Sequence, residues 1–178
     1  MKIYLLNPIL QHKPIFDRND VKAVTRVLES GIDFTIGRFH NVYGPRMGFE
    51  HVIPEFIRKC VKEKKFIIQG TGEETRSFCY ISDAINAMTL ASGHQLGKNE
   101  IFNIGTCDEV SISTLINLLS KIHGKKITPI KSKFEKHGTN RRVPDISKIQ
   151  KLGYNPKVIL EDGLRKCYEW YANYYQNH

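Results

Sequence analysis

The sequence predicts an α/β protein, in which strands and helices alternate along the chain and pack in layers. From Ile32 onward, short β-branched and aromatic runs alternate with stretches whose apolar residues recur at helical spacing. Turn-forming residues separate most neighbouring runs. The chain has 178 residues, of which 40% are hydrophobic. This length suffices for one domain with a sizeable core.

The first predicted elements of the α/β region lie on either side of a turn at Tyr43-Gly44-Pro45. The run Ile32 to Phe39 suits a strand that ends near this turn. His51 to Lys64 is predicted as an amphipathic helix, and Phe66 to Ile68 as a buried strand. The helix prediction rests on six apolar residues at helical spacing: Val52, Ile53, Phe56, Ile57, Cys60 and Val61.

A second group of elements follows a turn at Gly70 to Glu74. We expect a short strand at Arg76 to Tyr80 and then a helix that begins around Ser82-Asp83. Another strand, Ile101 to Gly105, ends in glycine. The residues of the helix expected to face inward are Ala84, Ile85, Ala87, Met88 and Leu90.

The last third of the chain contains three predicted helices. Ser111 caps the first, which Gly124 ends. A weak strand at Ile127 to Ile130 precedes a short helix at Ile146 to Leu152, and the final helix runs from Leu160 to about Tyr174. The first of these helices is expected to bury Leu115, Ile116, Leu118, Leu119 and Ile122.

Residues 1–30 are interpreted as a separate N-terminal segment, with residues 31–178 as the main domain. Asp17 can cap an amphipathic helix that runs to Ser30, with Gly31 as the residue that ends it. Residues 13–17 and 27–31 weakly resemble the start of pyridoxal-phosphate sugar aminotransferases. The alternative is an ordinary amphipathic helix. Its apolar face would consist of Val21, Val24, Val27 and Leu28.

Composition excludes several other classes. The net charge of +9 could suit nucleic acid, but the basic residues are scattered and no nucleic-acid-binding motif accompanies them. No apolar stretch approaches the roughly 20 residues of a membrane span, and Asn7-Pro8 interrupts the apolar start, so we expect neither a membrane protein nor a targeting segment. Four isolated cysteines predict reduced thiols in a cytoplasmic protein.

Three motifs occur in a fixed order: residues 37–46 (GRFHNVYGPR), 74–83 (ETRSFCYISD) and 141–145 (RRVPD). Together they resemble the C-terminal, substrate-binding half of the extended short-chain dehydrogenase/reductases, the NAD-dependent nucleotide-sugar epimerase/dehydratase family. The resemblance covers residues 31–178. It implies a partial Rossmann edge followed by a small α/β substrate-binding domain.

The resemblance implies a diphosphate site at Arg76 and at one arginine of the pair Arg141-Arg142, with Arg142 favoured. A guanidinium presents a planar fork of donors that can hold a phosphate through two hydrogen bonds, which suits this role. The alternative for Arg76 is a surface arginine without a role. Asp145 is expected to cap the next helix.

The same resemblance implies further substrate contacts. Asn41 matches a substrate-contacting asparagine, and His51-Val52 matches the helix start near the sugar diphosphate, where free N–H groups favour a phosphate. Ile67 and Gln69 match the segment that lines the nucleotide base, although Ile67 could equally be ordinary core.

For NAD, the resemblance implies only weak contacts, at Tyr43 and Pro45. The sequence contains no G-x-x-G-x-x-G or G-x-G-x-x-G loop, and no tyrosine is followed four residues later by lysine. The family's catalytic step uses such a Tyr/Lys pair and the bound nicotinamide. We therefore expect NAD not to bind to this chain alone, and no catalytic residue is assigned.

The favoured hypothesis is a half-protein that binds a UDP- or dTDP-sugar and belongs to an epimerase or dehydratase of surface-polysaccharide synthesis. One alternative is an enzyme that borrows NAD and the Tyr/Lys pair from a partner. Another is a non-catalytic remnant or an interaction or regulatory module with the same fold. A parallel strand at residues 32–39 would leave open edges, so we also expect a homo-oligomer or a complementing chain.

Overall fold

The computed structural model describes residues 2–6, 18–132 and 139–178. The strands are β1 (Lys2–Leu6), β2 (Phe34–Phe39), β3 (Val42–Tyr43), β4 (Phe66–Gln69), β5 (Thr75–Ser77), β6 (Cys79–Tyr80), β7 (Glu100–Ile104), β8 (Glu109–Ser111), β9 (Pro129–Ser132) and β10 (Arg141–Arg142). The helices are α1 (Arg18–Glu29), α2 (Val52–Lys62), α3 (Ile81–Gly93), α4 (Ile112–His123), α5 (Ser147–Gln150) and α6 (Leu160–Asn177).

The strands form a set of small, mostly parallel sheets, which confirms the α/β class. The sheet β1-β2-β7 is entirely parallel, so helices must return the chain between its strands. In the sheet β10-β5-β8, β5 pairs in parallel with β10 and antiparallel with β8. Two further parallel pairs are β3 with β6 and β4 with β9.

The predicted strand at residues 76–80 is divided into two. Thr75–Ser77 (β5) pairs with β8 and β10, whereas Cys79–Tyr80 (β6) pairs with β3. Phe78 lies between them and packs into the core. Because β5 and β6 pair with different neighbours, this segment connects two sheets. A single continuous strand would belong to only one of them.

The core consists of two clusters. The larger one joins α2, α4 and α6 to the short strands beside them, and the aromatic side chains of α6 pack there. In the smaller one, α3 lies against β2 and β7. Of the α3 residues predicted to face inward, Ala84, Ala87 and Met88 are buried, but Ile85 is 57% exposed, so that prediction was wrong. The buried stripe follows i, i+3, i+4 from Ala84, and Ile85 lies one helical step outside it.

The predicted caps of α4 and the glycine that ends α1 are confirmed, whereas α6 continues past the predicted Tyr174 to Asn177 and α5 is shorter than predicted. Ser111 Oγ accepts a hydrogen bond from the Thr114 N–H at 3.0 Å and so caps α4. Gly31 and Gly124 follow α1 and α4 with φ of 72° and 75°, the left-handed conformation that ends a helix. The predicted cap Asp17 and residues 13–17, which carry most of the aminotransferase resemblance, lie outside the described residues.

The apolar face of α1 is exposed to solvent. Val21, Val24 and Leu28 are 59%, 48% and 43% exposed. The sequence predicted this amphipathic stripe, but the described residues do not cover it. A helix in water gains most of its stability from packing its apolar face, and the described residues provide no such packing for this stripe.

The cysteines Cys60, Cys79, Cys107 and Cys167 are all free thiols, as their isolated positions predicted. Burial raises the pKa of the Cys79 thiol to about 11 and that of Cys167 to about 12. Neither thiol is therefore ionised at neutral pH, and neither has the reactivity of a thiolate.

Gly163 allows α6 to approach β3. A Cβ atom at this position would lie within 3 Å of the Tyr43 ring and its hydroxyl, and Tyr43 is itself buried. We expect Gly163→Ala to lower the free energy of unfolding by about 1–3 kcal/mol, because an added methyl in a filled core forces its neighbours apart.

Urea denaturation measures this change. Gly93→Ala is the control, because Gly93 is also a helical glycine, at the end of α3, but a Cβ there would meet no atom within 4 Å. Equal stability of the two variants would contradict close packing of α6 on Tyr43.

Candidate functional site

Two arginines lie side by side on neighbouring strands. β10 runs parallel to β5 with Arg142 directly opposite Arg76. Arg76 is partly buried, and its Nη1 donates to the carbonyl oxygens of Thr75 at 2.7 Å and Asn140 at 3.3 Å. Burial, and then the charge of Arg142, lower the pKa of Arg76. Neither arginine forms a salt bridge with any residue in the described ranges. The pair is therefore suited to receive an anion.

The structure distinguishes Arg142 from its neighbour Arg141. Nε and Nη2 of Arg141 donate to the carboxylate of Glu109 at 2.8 to 3.1 Å. Successive residues of a strand point to opposite faces, so Arg142 is left on the other side. This arrangement agrees with the preference for Arg142 as the second arginine of the site.

The loop before β5 is held by the buried carboxylate of Glu74. Its oxygens accept hydrogen bonds from the N–H and hydroxyl of Thr71 at 2.9 and 3.0 Å, and from the N–H of Gly72 at 2.9 Å. Burial alone would raise the pKa of Glu74, but these hydrogen bonds outweigh it, and the pKa is lowered. Glu74 thereby holds the conformation of the loop that leads into β5, the strand that carries Arg76.

Asn41 joins the end of β2 to the β5–β6 segment. It has a left-handed backbone with φ of 43°, which asparagine tolerates better than most residues. Its Nδ2 donates to the Ser77 carbonyl at 2.9 Å, and its own carbonyl accepts from the Cys79 N–H at 3.2 Å. The amide nitrogen of Asn41 therefore has a structural partner, and any contact with a substrate falls to its amide oxygen.

Two buried polar atoms near Asn41 have no hydrogen-bond partner, namely His40 Nε2 and Ser77 Oγ. Burial lowers the pKa of His40, followed by the charges of Arg38 and Arg142, while a hydrogen bond with Asn103 opposes the shift. His40 is therefore neutral at pH 7. A buried polar atom without a partner is uncommon and marks this end of β2 as a polar site.

The predicted base-lining residues share one face of β4. Along this strand Phe66 and Ile68 are buried, whereas Ile67 is 46% exposed and Gln69 is also exposed. The alternative that Ile67 is ordinary core is therefore wrong. An exposed isoleucine beside an exposed amide can offer both apolar contact and hydrogen bonding to a planar ligand.

His51 and Val52 lie at the start of α2. His51 occupies the N-cap position without a side-chain capping bond, and Val52 is the first helical residue. The first N–H groups of a helix have no partner within the helix and favour negative charge. This helix start therefore has N–H groups of the kind that the resemblance implied for a phosphate, whereas the arginines of the site lie on β5 and β10.

The proposed cofactor contacts are less accessible. Tyr43 is only 2% exposed, and its hydroxyl donates to the Leu160 carbonyl at 3.3 Å. Its ring belongs to the larger core cluster, so only its main chain could contact a ligand. Pro45 is half-buried in the following turn. Asp145 has the expected capping role, because it accepts a hydrogen bond from the Ser147 N–H at 2.8 Å.

Glu74 and Glu109 are functional candidates that the sequence did not reveal. Glu74 lies in a predicted turn, and glutamates in turns are usually solvated. Glu109 contacts Arg141 from 32 positions away, a separation at which no local pattern gives a signal. Strand pairing brings them into the site.

The described residues contain neither a membrane-spanning helix nor a cluster of metal ligands. Among residues 2–6, 18–132 and 139–178, no helix is both long and apolar enough to cross a membrane. Within the same residues, no group of three His, Cys, Asp or Glu side chains could hold a metal ion.

Residues 21–105 match the model of the NAD dependent epimerase/dehydratase family. The chain is 34% identical over 151 residues to the UDP-N-acetyl-alpha-D-glucosaminuronate decarboxylase of Bacillus cytotoxicus, covering 79% of this chain and 47% of the relative. It is 36% identical over 146 residues to a putative UDP-glucose 4-epimerase of Methanocaldococcus jannaschii, covering 80% and 47%. The chain thus spans about half the length of these relatives.

Solved structures give the same result. A UDP-glucose 4-epimerase from Thermotoga maritima with UDP-glucose matches with a TM-score of 0.77 and 31% identity, over 86% of this chain and 50% of that one. A UDP-glucuronic acid 4-epimerase from Bacillus cereus, in complex with UDP-glucuronic acid and NAD, matches with a TM-score of 0.77 and 31% identity, over 88% and 51%.

The hydrogen bonds of Glu74 predict a pH-dependent stability. Because the folded pKa lies below the ordinary value of 4.5, the carboxylate stabilises the protein above that pH and loses this contribution as the pH falls through the folded pKa. We expect Glu74→Gln to cost about 1–2 kcal/mol at pH 7. The difference from the unmodified chain should shrink as the pH is lowered below about 4.5.

Urea denaturation between pH 7 and pH 3 measures this dependence. Glu73→Gln is the control, because Glu73 lies next to Glu74 but is exposed. A stability difference that stayed constant with pH would contradict a role for the ionised carboxylate.

Proposed function

The chain belongs to the NAD-dependent epimerase/dehydratase family, and from this membership we propose that it is the substrate half of such an enzyme and binds the diphosphate of a nucleotide sugar. The chain spans about half the length of its relatives. Two of the solved structures that it matches contain UDP-glucose or UDP-glucuronic acid. A UDP- or dTDP-sugar is the proposed ligand.

The observation that carries the proposal is the pair Arg76 and Arg142. Two guanidinium groups opposite each other on paired strands repel unless an anion lies between or beside them. A diphosphate carries charge on both of its phosphates, so each arginine can take one phosphate through charge-assisted hydrogen bonds. The basic side chain of Arg38, near His40, adds to the positive potential.

The remaining contacts follow from the geometry of the substrate half. Ile67 and Gln69 on the exposed face of β4 are proposed to receive the base, the former by apolar contact and the latter by hydrogen bonds. The start of α2 at His51 and Val52 is proposed to assist the phosphates or sugar through the first N–H groups of the helix. Asn41 is proposed to contact the sugar through its amide oxygen.

The residues of this chain do not by themselves fit NAD. The sequence has no glycine-rich loop through which the backbone could approach a pyrophosphate. Tyr43, the residue nearest to a cofactor in the resemblance, has its ring in the core. We propose that this chain alone binds no NAD and catalyses no hydride transfer, and that these steps require another chain or another part of the protein.

A partner is favoured by the open surfaces of the N-terminal part. The apolar stripe of α1 is exposed, and β1 lies at the edge of a parallel sheet. We propose that a further copy of the chain or a complementing chain covers them. An interaction or regulatory module, the alternative function, would use the same exposed surface but would have no affinity for nucleotide sugars. A cytoplasmic location and the absence of nucleic-acid binding remain part of the proposal.

The test of the ligand is a calorimetric titration of the purified chain with UDP, dTDP and NAD. We expect UDP or dTDP to bind and NAD to give no signal. Arg76→Ala and Arg142→Ala should each weaken nucleotide binding by about tenfold or more, because each removes charge-assisted hydrogen bonds.

Arg165→Ala is the matched control, since Arg165 is an exposed arginine that pairs with Glu161 on α6. It should leave the affinity unchanged. A folded chain that binds neither nucleotide would overturn the proposed function and favour the interaction module.

The test of association is sedimentation at micromolar concentration, where we expect at least a dimer. Leu28→Lys should shift the chain toward the monomer, because a charge on the α1 stripe opposes its burial. Arg26→Glu is the control, because Arg26 is exposed on the face of α1 opposite the stripe, and it should not change the sedimentation. A monomeric unmodified chain would contradict this part of the proposal.

A further inference from the structure

We propose that Glu109 is a positioning residue for the diphosphate site. By binding Arg141 it selects which of two adjacent arginines faces the ligand, and it holds Arg142 beside Arg76. The inference rests on the proposed function and adds to it a residue that makes no contact with the ligand.

The geometry of Glu109 links all three strands of its sheet. Its carboxylate accepts three hydrogen bonds from Arg141 of β10, with Nε at 3.0 and 3.1 Å and Nη2 at 2.8 Å. It also accepts from the Thr75 hydroxyl of β5 at 2.5 Å. Glu109 itself begins β8, opposite Ser77. One carboxylate therefore ties β8 and β10 to the strand that carries Arg76.

β10 has few other attachments. It is two residues long, and the Thr75 N–H donates to the Asn140 carbonyl at 2.8 Å just before it. Such a short strand gains little from its main-chain ladder. A two-pronged Arg–carboxylate pair has a fixed planar geometry and so orients β10 as well as holding it.

The charge of Glu109 is as important as its shape. Arg76, Arg141 and Arg142 are three like charges within one small sheet. Glu109 is the acid that pairs with this group in the described part of the chain. It neutralises Arg141 and leaves Arg76 and Arg142 without a salt-bridge partner among the described residues. Without it, mutual repulsion would drive the arginines of β10 away from Arg76.

An ordinary surface salt bridge would contribute stability and nothing more. A positioning role for Glu109 and a purely stabilising role differ in one measurable respect. A positioning residue acts through Arg142, so its effect on ligand affinity must vanish once Arg142 is absent. A structural residue has an effect that is independent of Arg142.

The experiment is a calorimetric titration with UDP of the full chain and four variants. We expect E109Q to weaken UDP binding about three- to fivefold, the scale of one lost surface ion pair. The double variant E109Q/R142A should bind no more weakly than R142A. The charge swap E109R/R141E should restore the affinity to within about twofold, because it rebuilds the pair in reverse.

E100Q is the matched control, because Glu100 is a strand glutamate paired with Lys148 on the surface. It should leave UDP affinity unchanged. Unchanged or tighter binding by E109Q, or an effect that simply adds to that of R142A, would overturn the role of Glu109 alone. Absence of UDP binding by the unmodified chain would overturn the proposed function and this inference with it.

Discussion

The pairing of β5 with strands from two distant parts of the chain is the constraint on which the candidate site depends. β8 begins about thirty residues after β5, and β10 begins more than sixty residues after it. Even so, β8 pairs with all three residues of β5, and β10 pairs with two of them, Thr75 and Arg76. Arg76 lies at the centre, with Val110 on one side and Arg142 on the other. The main-chain pairing sets the register that places the two arginines opposite each other, and the Glu109–Arg141 pair helps to hold the short strand β10 in that register. The buried carboxylate of Glu74 fixes the loop that leads into this sheet.

Local patterns predicted the features whose causes lie within a few residues. Ser111 and Gly124 bound α4 because a capping hydroxyl and a left-handed glycine act on the adjacent turn. The diphosphate site at Arg76 follows instead from the resemblance of its motif to the epimerase/dehydratase family, and it remains a prediction. Ile85 was misplaced because periodicity gives the width of an apolar stripe less reliably than its existence. The contact between Glu109 and Arg141 could not be predicted from local sequence patterns, since only strand pairing brings these two residues together.

The site separates two kinds of chemistry that an oxidoreductive enzyme must combine. Holding a diphosphate requires positive charge in a fixed position, and two arginines on paired strands supply it. Moving a hydride requires a nicotinamide and a proton acceptor, for which the sequence contains neither the glycine loop nor the Tyr/Lys spacing. On the proposed function, binding energy and catalytic groups therefore lie in different halves. The affinity for the nucleotide can then be measured without turnover.

The same division explains the exposed apolar surface. Parallel sheets are normally covered on both faces, yet in β1-β2-β7 the helix α3 covers the face of Phe102 and Ile104 while Ile101 on the other face is exposed. The α1 stripe is exposed as well. Each buried Å² of such surface is worth about 25 cal/mol, so covering several side chains can drive association. On the proposed function, the chain combines a ligand site with an open apolar surface, and that surface is where the other half of the fold, or a further copy of the chain, would pack.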